Sequence, residues 1–300
     1  MSVIYRPARP EDLVATDVLV VASINDLTIR HGFGPMAMPT PPNFQLFSLE
    51  DDPGGLWIAE NGSDIVGFAW SWACADLWFL AQLFVAPAQQ GQGIGNELMR
   101  RTMEHARISR APHRALITFS FNRVSQGLYI RHGLFPKMPI YFVGSSREQV
   151  ASKLQEPSLR SVALVDTDAT IRRLVEIDAR AVGAARDKHH RYLLSDPATT
   201  GVLLYAGNEC VGYSYVSASG YIGPLAATRA DVLRDAFAAA LKIAADGSSA
   251  KVSAFLPGTC EDALSLAIDV GMRITFPMLL MAAPGFGDWV KYLPRNPGFM

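Results

Sequence analysis

Cysteine is scarce in this 300-residue chain, and charge of neither sign dominates it. Cys74, Cys210 and Cys260 are scattered and odd in number, which excludes a disulfide framework and a CxxC metal or redox pair; all three read as core thiols, and no metal is expected. With 27 basic against 28 acidic residues the formal net charge is -1. A broad basic face for nucleic acid or an anionic membrane is therefore excluded, and any polyanion must be held locally. Apolar runs of about 18 residues are missing too, which argues against a spanning helix. The opening MSVIYRPARPEDL has no apolar signal core, so the expected location is the cytoplasm.

What is present is an alternation of strand-like and helix-like stretches long enough for two domains. EDLVATDVLVVASIND, residues 11–26, has an acidic first turn and apolar positions at helical spacing. HGFGPMAMPTPPNF reads as a loop folded over something apolar. LWIAENGSDIVGFAWSW is a hairpin about Asn61-Gly62, and DLWFLAQLFVAP is apolar enough for a central strand. RALITFSF, the helix VSQGLYIRHG and a last strand PIYFVG close the first unit, and SSREQVASKLQEPS reads as a linker. Then the order repeats, down to a shared Val-Gly-aromatic at Val66-Gly67-Phe68 and Val211-Gly212-Tyr213. LSLAIDVGMRITFPMLLM likewise echoes LYIRHGLFPKMPIYFV.

Between the central strand and the next helix lies LFVAPAQQGQGIGNELMRR. A nucleotide P-loop would need Lys after its last glycine, where this chain has Asn96 after Gly95. A dinucleotide fingerprint would need an acid about 20 residues on, where Arg110-Ala111-Pro112 stands. Gln90-x-x-Gly93-x-Gly95 remains: small residues that let bare helix-start amides approach a diphosphate, or a glycine turn that merely packs. The stretch resembles the acyl-CoA-binding motif of the GNAT N-acetyltransferase superfamily. Asn122-x-x-Ser125-x-x-x-Tyr129-x-x-x-Gly133-Leu-Phe resembles that family's second motif, apart from the inserted Leu134.

The resemblance implies an α/β (α+β) chain of two tandem GNAT-like domains, each a mixed, mostly antiparallel central sheet flanked by helices. Residues 1–144 would be the acyl-CoA-binding catalytic domain, 145–157 a linker and 158–300 a degenerate copy. It also implies acetyl-CoA (coenzyme A) as cofactor and direct acetyl transfer to a primary amine of a small molecule or peptide. The protein would be a monomer or homodimer without nucleic-acid or membrane partners. A non-catalytic acyl-CoA sensor and a scaffold are the other classes open. Backbone N–H groups of Gln90, Gly91, Gln92, Gly93, Ile94 and Gly95 would take the phosphates. Leu83, Phe84 and Val85 would line the pantetheine arm, with Asn122 and Ser125 at its polar groups; Asn122 is equally apt as a helix cap. Tyr129 would donate to the leaving sulfur, or stand as an amphipathic wall residue.

An attacking amine of ordinary pKa must first lose a proton, at a cost of about 4 kcal/mol near neutrality. Asp76 is the nearest acid by sequence, although an acid there also suits a turn. Gln82 holds a position where some relatives carry Glu, and an amide is no base, so a chain of waters is the expected route. His132 neighbours Tyr129 on a solvated helix face. The acceptor would be walled by Trp70, Trp72, Phe79, Phe33, Met36 and Met38, residues that would also suit an ordinary core. In the second copy, aligning Gly271 with Gly133 puts Ala267 and Cys260 in place of Tyr129 and Asn122. Thr228-x-x-Asp231 reads there as a capping box that closes the helix start, so this copy is expected to bind no CoA and to serve as a wall or an interface.

Overall fold

A computed structural model describes residues 3–300. Two compact units divide the chain: Met1–Phe135 with Met281–Pro284, and Pro136–Leu280 with Gly285–Met300. The first carries β1 (Ile4–Pro7), α1 (Leu13–Arg30), α2 (Asn43–Asp51), β2 (Leu56–Asn61), β3 (Asp64–Cys74), β4 (Leu77–Val85), α3 (Ile94–Ser109), β5 (His113–Phe119) and α4 (Arg123–Arg131). The second is built from β6 (Phe135–Ser146), α5 (Arg147–Lys153), β7 (Arg160–Ala163), α6 (Asp168–Ala181), α7 (Asp187–Ser195), β8 (Thr199–Ala206), β9 (Glu209–Ser217) and β10 (Tyr221–Ala227). It continues with α8 (Leu233–Asp246), β11 (Lys251–Pro257), α9 (Glu261–Asp269), β12 (Arg273–Ala283), of which the stretch from Met281 counts with the first unit, and β13 (Tyr292–Leu293).

In the first unit β1 to β4 pair antiparallel and β4 pairs parallel with β5, the mixed, mostly antiparallel sheet expected of the fold. Asn61 and Asp64 close the first hairpin across Gly62, whose φ of +67° is the backbone state that Asn-Gly turns supply. One sheet face is covered by α3 through Ile94 and Leu98, each fully buried and contributing on the order of 1.5–3 kcal/mol. The repeated Val-Gly-aromatic has a packing cause in both copies. A methyl group on Gly67 would stand 2.9 Å from Leu98 of α3, and one on Gly212 would stand 2.4 Å from the carbonyl oxygen of Ala226. The loop expected over residues 31–44 is irregular up to Pro42, after which α2, which periodicity did not reveal, begins at Asn43.

Two expectations about the boundary need correction. The strand containing PIYFVG does not close the first unit: β6 pairs antiparallel with β11 of the second, from Ile140↔Pro257 to Ser146↔Lys251. Val143 is fully buried in one core with Val252, Ala254 and Leu256, which explains where this strand's apolar face goes. The expected linker is not a linker either. Ser146 caps α5 by accepting from the Gln149 amide at 3.2 Å, and Val150 is buried in that same core.

Candidate active site

Parallel pairing of β4 with β5 runs from Leu77↔His113 to Leu80↔Leu116 and stops. β4 continues to Val85, and its register against β3 jumps from Ser71↔Leu80 to Trp70↔Gln82, so Ala81 is bulged out. The bulge turns the β4 edge away from β5 and opens a wedge beside Leu83, Phe84 and Val85. At the end of that wedge sits the glycine loop. Gly91 and Gly93 have φ of +81° and +86°, a region that penalises side chains, and a methyl group on either would meet nothing within 4 Å. Gly95 differs: its methyl would make ordinary contacts of 3.6–3.9 Å with Val85, Leu83 and Leu128, so no clash within the protein requires glycine there.

Gly93 leads into the 16-residue α3 with no side-chain cap. Among the described residues, no protein group accepts from the amides of Gly91, Gln92, Gly93, Ile94 or Gly95. These amides and the positive end of the helix make a local anion cradle in a chain with no overall basic surplus. The amide of Gln90 does not join them, because it donates to Pro87 O at 3.4 Å, while its side chain donates to Val85 O at 3.1 Å and ties the loop to the strand end.

Across the wedge, Asn122 caps α4 by accepting from the Ser125 amide at 3.2 Å, so its oxygen serves the helix. Tyr129 is buried at 5% exposure. Burial pushes its phenol up to about 12, an effect partly offset by hydrogen bonds with Ser125 and Thr118. The phenol is therefore a proton carrier at any physiological pH. Its place is fixed by the end of α4, where Gly133 at φ +79° lets the Leu134 amide return to Tyr129 O at 3.0 Å.

The remaining sequence candidates separate. Trp70 and Gln82 are cross-strand partners at the bulge, on the sheet face opposite Leu83 and Val85. Trp70 is covered by an edge-on contact with Phe44 at 5.2 Å. Trp72 stacks on Phe79 at 5.1 Å with both buried, the core alternative for this pair. Phe33 is 41% exposed and stacks on Phe121, Met38 is exposed, and Met36 is anchored by its amide to Asn25 Oδ1 at 2.8 Å. Asp76 is exposed in the β3–β4 turn, its carbonyl accepting from the His113 amide where β4 and β5 are still paired. The bulge lies five residues further along β4, roughly 17 Å at strand rise, so Asp76 is a turn residue and not a base for the wedge. His132 is the half-buried C-cap of α4, its pKa lowered by that partial burial and by Arg131. Cys74 and Cys260 are buried as expected, whereas Cys210 is partly exposed.

Sequence reasoning missed a buried relay. His105 Nδ1 lies 2.9 Å from Ser71 Oγ, and its Nε2 lies 3.0 Å from Asp52. These are the distances of a hydrolytic triad, but Ser71 has no exposed surface, and the Trp78 indole donates to the same Nδ1 at 3.2 Å. The hydroxyl and both ring nitrogens are already paired within the protein, so the relay staples α3 to the sheet.

The second unit treats the equivalent wedge differently. β10 pairs parallel with β11 only at Tyr221 and Ile222; beyond them β13 pairs with β10 at Leu225↔Leu293 and Ala226↔Tyr292. The expected capping box is not formed. Thr228 Oγ1 donates to Val211 O at 3.3 Å, Asp231 pairs with Arg229 at 3.2 Å, and a short 3-10 turn, Ala230–Val232, precedes α8. The alignment at the other motif holds: Met272 returns its amide to Ala267 O at 2.8 Å after Gly271, as Leu134 does to Tyr129.

Comparison with known proteins agrees with this geometry. Residues 24–134 match the Acetyltransferase (GNAT) family. An uncharacterized N-acetyltransferase of Archaeoglobus fulgidus is 34% identical over 74 residues, which cover 21% of this chain and 48% of that protein; the chain spans about half the length of this curated relative. Among solved structures, a GCN5-related N-acetyltransferase from Sphaerobacter thermophilus is similar over 96% of each chain, at 16% identity and a TM-score of 0.67. A tandem GNAT protein of the clavulanic acid biosynthesis pathway is similar over 94% of this chain and 98% of its own, at 16% identity and a TM-score of 0.63. Among the described residues no helix is long and apolar enough to cross a membrane. Residues 24–134, a little over a third of the chain, are thus similar to the GNAT acetyltransferase family, and the fold of the whole chain is similar to that of a tandem GNAT protein.

Proposed function

We propose that the first unit transfers an acetyl group from acetyl-CoA to a primary amine of a small molecule or peptide. The observation that carries this reading is the row of five acceptor-free amides, Gly91 to Gly95, beside a β4 edge that has lost its strand partner. A diphosphate fits the first and an extended amide-bearing arm fits the second. Bound acetyl-CoA supplies an acetyl thioester, whose C–S bond breaks as the amine nitrogen forms the new C–N bond. Backbone amides of β4 near Leu83 stabilise the oxyanion, and Asn122 keeps its amide nitrogen for the arm.

Tyr129 acts at the departing sulfur. Its phenol, at about 12, holds its proton more tightly than a thiol of ordinary pKa near 8.5, so it stabilises the thiolate by donating a hydrogen bond rather than by giving up the proton outright. Gln82 is no base, and the amine proton leaves through water. We assign the second unit no acetyl-donor site: Ala267 offers no donor, and β13 lies along the edge that the arm would need.

The test is Gly95→Glu. An acid in the first turn suits the helix dipole, and the site tolerates a β-carbon, so the variant should fold like the parent. Its carboxylate should nevertheless oppose the phosphates. Calorimetry should find one equivalent of acetyl-CoA on the parent and none on the variant. Undiminished binding to Gly95→Glu would remove the diphosphate site from this loop, and a second equivalent on the parent would restore a donor site to the second unit.

A further inference from the structure

Two polar atoms at the bulge have no partner in the protein. Trp70 Nε1 and Gln82 Oε1 are both shut off from water and both unpaired, and Trp70 is only 3% exposed. They stand on adjacent strands, directly opposite each other in the register. A buried polar group left unsatisfied forfeits its hydration without return, and yet the two do not satisfy one another. A chain under no other demand would place a partner or an apolar residue there.

The second unit shows that the fold has such a solution. Counting from the shared Val-Gly-aromatic, Trp70 corresponds to Tyr215, and counting back from the partners of Phe68 and Tyr213, Gln82 corresponds to Pro224. Tyr215 is also buried, but its hydroxyl lies 3.0 Å from His190 Nδ1, and proline brings no polar side chain. The same two positions are thus closed internally in one copy and left open in the other.

The face on which these atoms lie says what should meet them. Leu83 and Val85 face α3 and the glycine loop, whereas Trp70 and Gln82 face the other side, beneath Phe44 of α2. If the donor enters by the glycine loop, the acceptor meets the thioester from this opposite face.

We propose that Trp70 and Gln82 are the specificity pair for the acceptor, and that the acceptor is an amine bearing an oxygen that can accept a hydrogen bond: a hydroxyl, a carbonyl or a carboxylate. This inference rests on the acetyl-transfer reading above. The Gln82 oxygen accepts from the attacking amine and aims its lone pair at the thioester carbon; the Trp70 indole donates to the oxygen. Both groups are neutral, so neither offers a counter-charge for a second ammonium, and a simple alkylamine or polyamine leaves the indole unpaired. Phe44, lying over Trp70, contacts the apolar body of the acceptor.

The experiment uses the full chain, acetyl-CoA and matched probes: 2-phenylethylamine, 2-amino-1-phenylethanol, phenylalaninamide and spermidine. The oxygen-bearing probes should exceed 2-phenylethylamine and spermidine at least tenfold in kcat/KM. Trp70→Phe, which keeps a ring, should remove that preference through KM while acetyl-CoA affinity stays at the parent value. Gln82→Met, nearly equal in volume, should lower kcat for every amine. In NMR, the indole N–H resonance missing from Trp70→Phe should shift on addition of 2-amino-1-phenylethanol and not on addition of 2-phenylethylamine. Equal use of all four probes, no use of any while acetyl-CoA still binds, or an unmoved indole resonance would overturn the pair's role. Absence of acetyl-CoA binding to the parent would instead bring down the acetyl-transfer reading, and this inference with it.

Discussion

The two units run through the same order of elements and differ in what they do with the groups that the order leaves exposed. Where β4 parts from β5 the first unit leaves its strand edge without a strand partner and the amides of Gly91 to Gly95 without acceptors; where β10 parts from β11 the second lays β13 along the edge. The faces behind these edges differ in the same sense. Behind β9 lies a closed polar knot: Arg186 donates to both Asp178 oxygens at 2.9 and 3.0 Å, to Tyr213 and Tyr292 at 2.9 and 2.6 Å, and to the backbone oxygen of Met300. A fold that separates two strands creates unsatisfied groups by construction, and either a ligand or the chain itself must meet them. The comparison teaches that a vacant cleft can be recognised by contrast with a filled one, from a single sequence that holds both.

The sharpest way to break the comparison is to unpick the filled side. Arg186 is fully buried, and Asp178 is held well below the ordinary carboxylate range: burial alone would raise it, but Arg186 and His190 outweigh that. Because the folded value is depressed, this carboxylate stabilises the fold above its unfolded pKa near 3.9, and the contribution is lost only as pH falls through the much lower folded value. Arg186→Ala leaves a buried charge short of its main partner and should cost about 3–5 kcal/mol near neutrality in denaturant unfolding. The deficit should shrink toward pH 4 as Asp178 takes up a proton. A loss under about 1 kcal/mol would mean that β13 and its neighbours are held by packing alone.

The next effect tests the open side. Tyr129→Phe keeps the ring and deletes the donor, moving the first unit toward the Ala267 of the second. Turnover should fall by about 100-fold, near 2.7 kcal/mol, with acetyl-CoA affinity unchanged. Equal turnover would make Tyr129 a wall residue and bring the two copies closer in chemistry than their clefts suggest.

Much of this contrast can be read from local sequence, and the unreadable part is non-local. The Asn61-Gly62 hairpin, the glycines at 91 and 93 and the Gly133 and Gly271 turns follow from backbone states that few residues supply, so their positions are visible one residue at a time. The destination of β6 is not. Ile140 and Val143 alternate correctly for any sheet edge, and only pairing with Lys251–Pro257, more than a hundred residues away, decides which edge takes them. β13 is two residues long and carries no period at all. Ser71, His105 and Asp52 meet across three different elements, so no spacing advertises them. Gln90 was legible by type but not by role, because a side-chain bond to Val85 O cannot be told in sequence from a free amide.

The smallest effect concerns the start of α8, where a pattern misled. Thr228-x-x-Asp231 has the residue types of a capping box, but Arg229 stands between them and draws the Asp231 carboxylate at 3.2 Å, while the Thr228 hydroxyl donates to Val211 O instead of accepting from an amide. Thr167 is the contrasting case, for its hydroxyl accepts from the Thr170 amide at 3.2 Å at the start of α6. Thr167→Ala should cost about 1 kcal/mol, whereas Thr228→Ala should cost a few tenths, both measured by denaturant unfolding of otherwise identical chains. If Thr228→Ala cost as much as Thr167→Ala, the second unit would be closing its helix end with a side chain after all. In the arrangement described, a 3-10 turn, Ala230–Val232, leads the backbone into α8, with the Leu233 amide donating to Ala230 O and no side chain capping the turn.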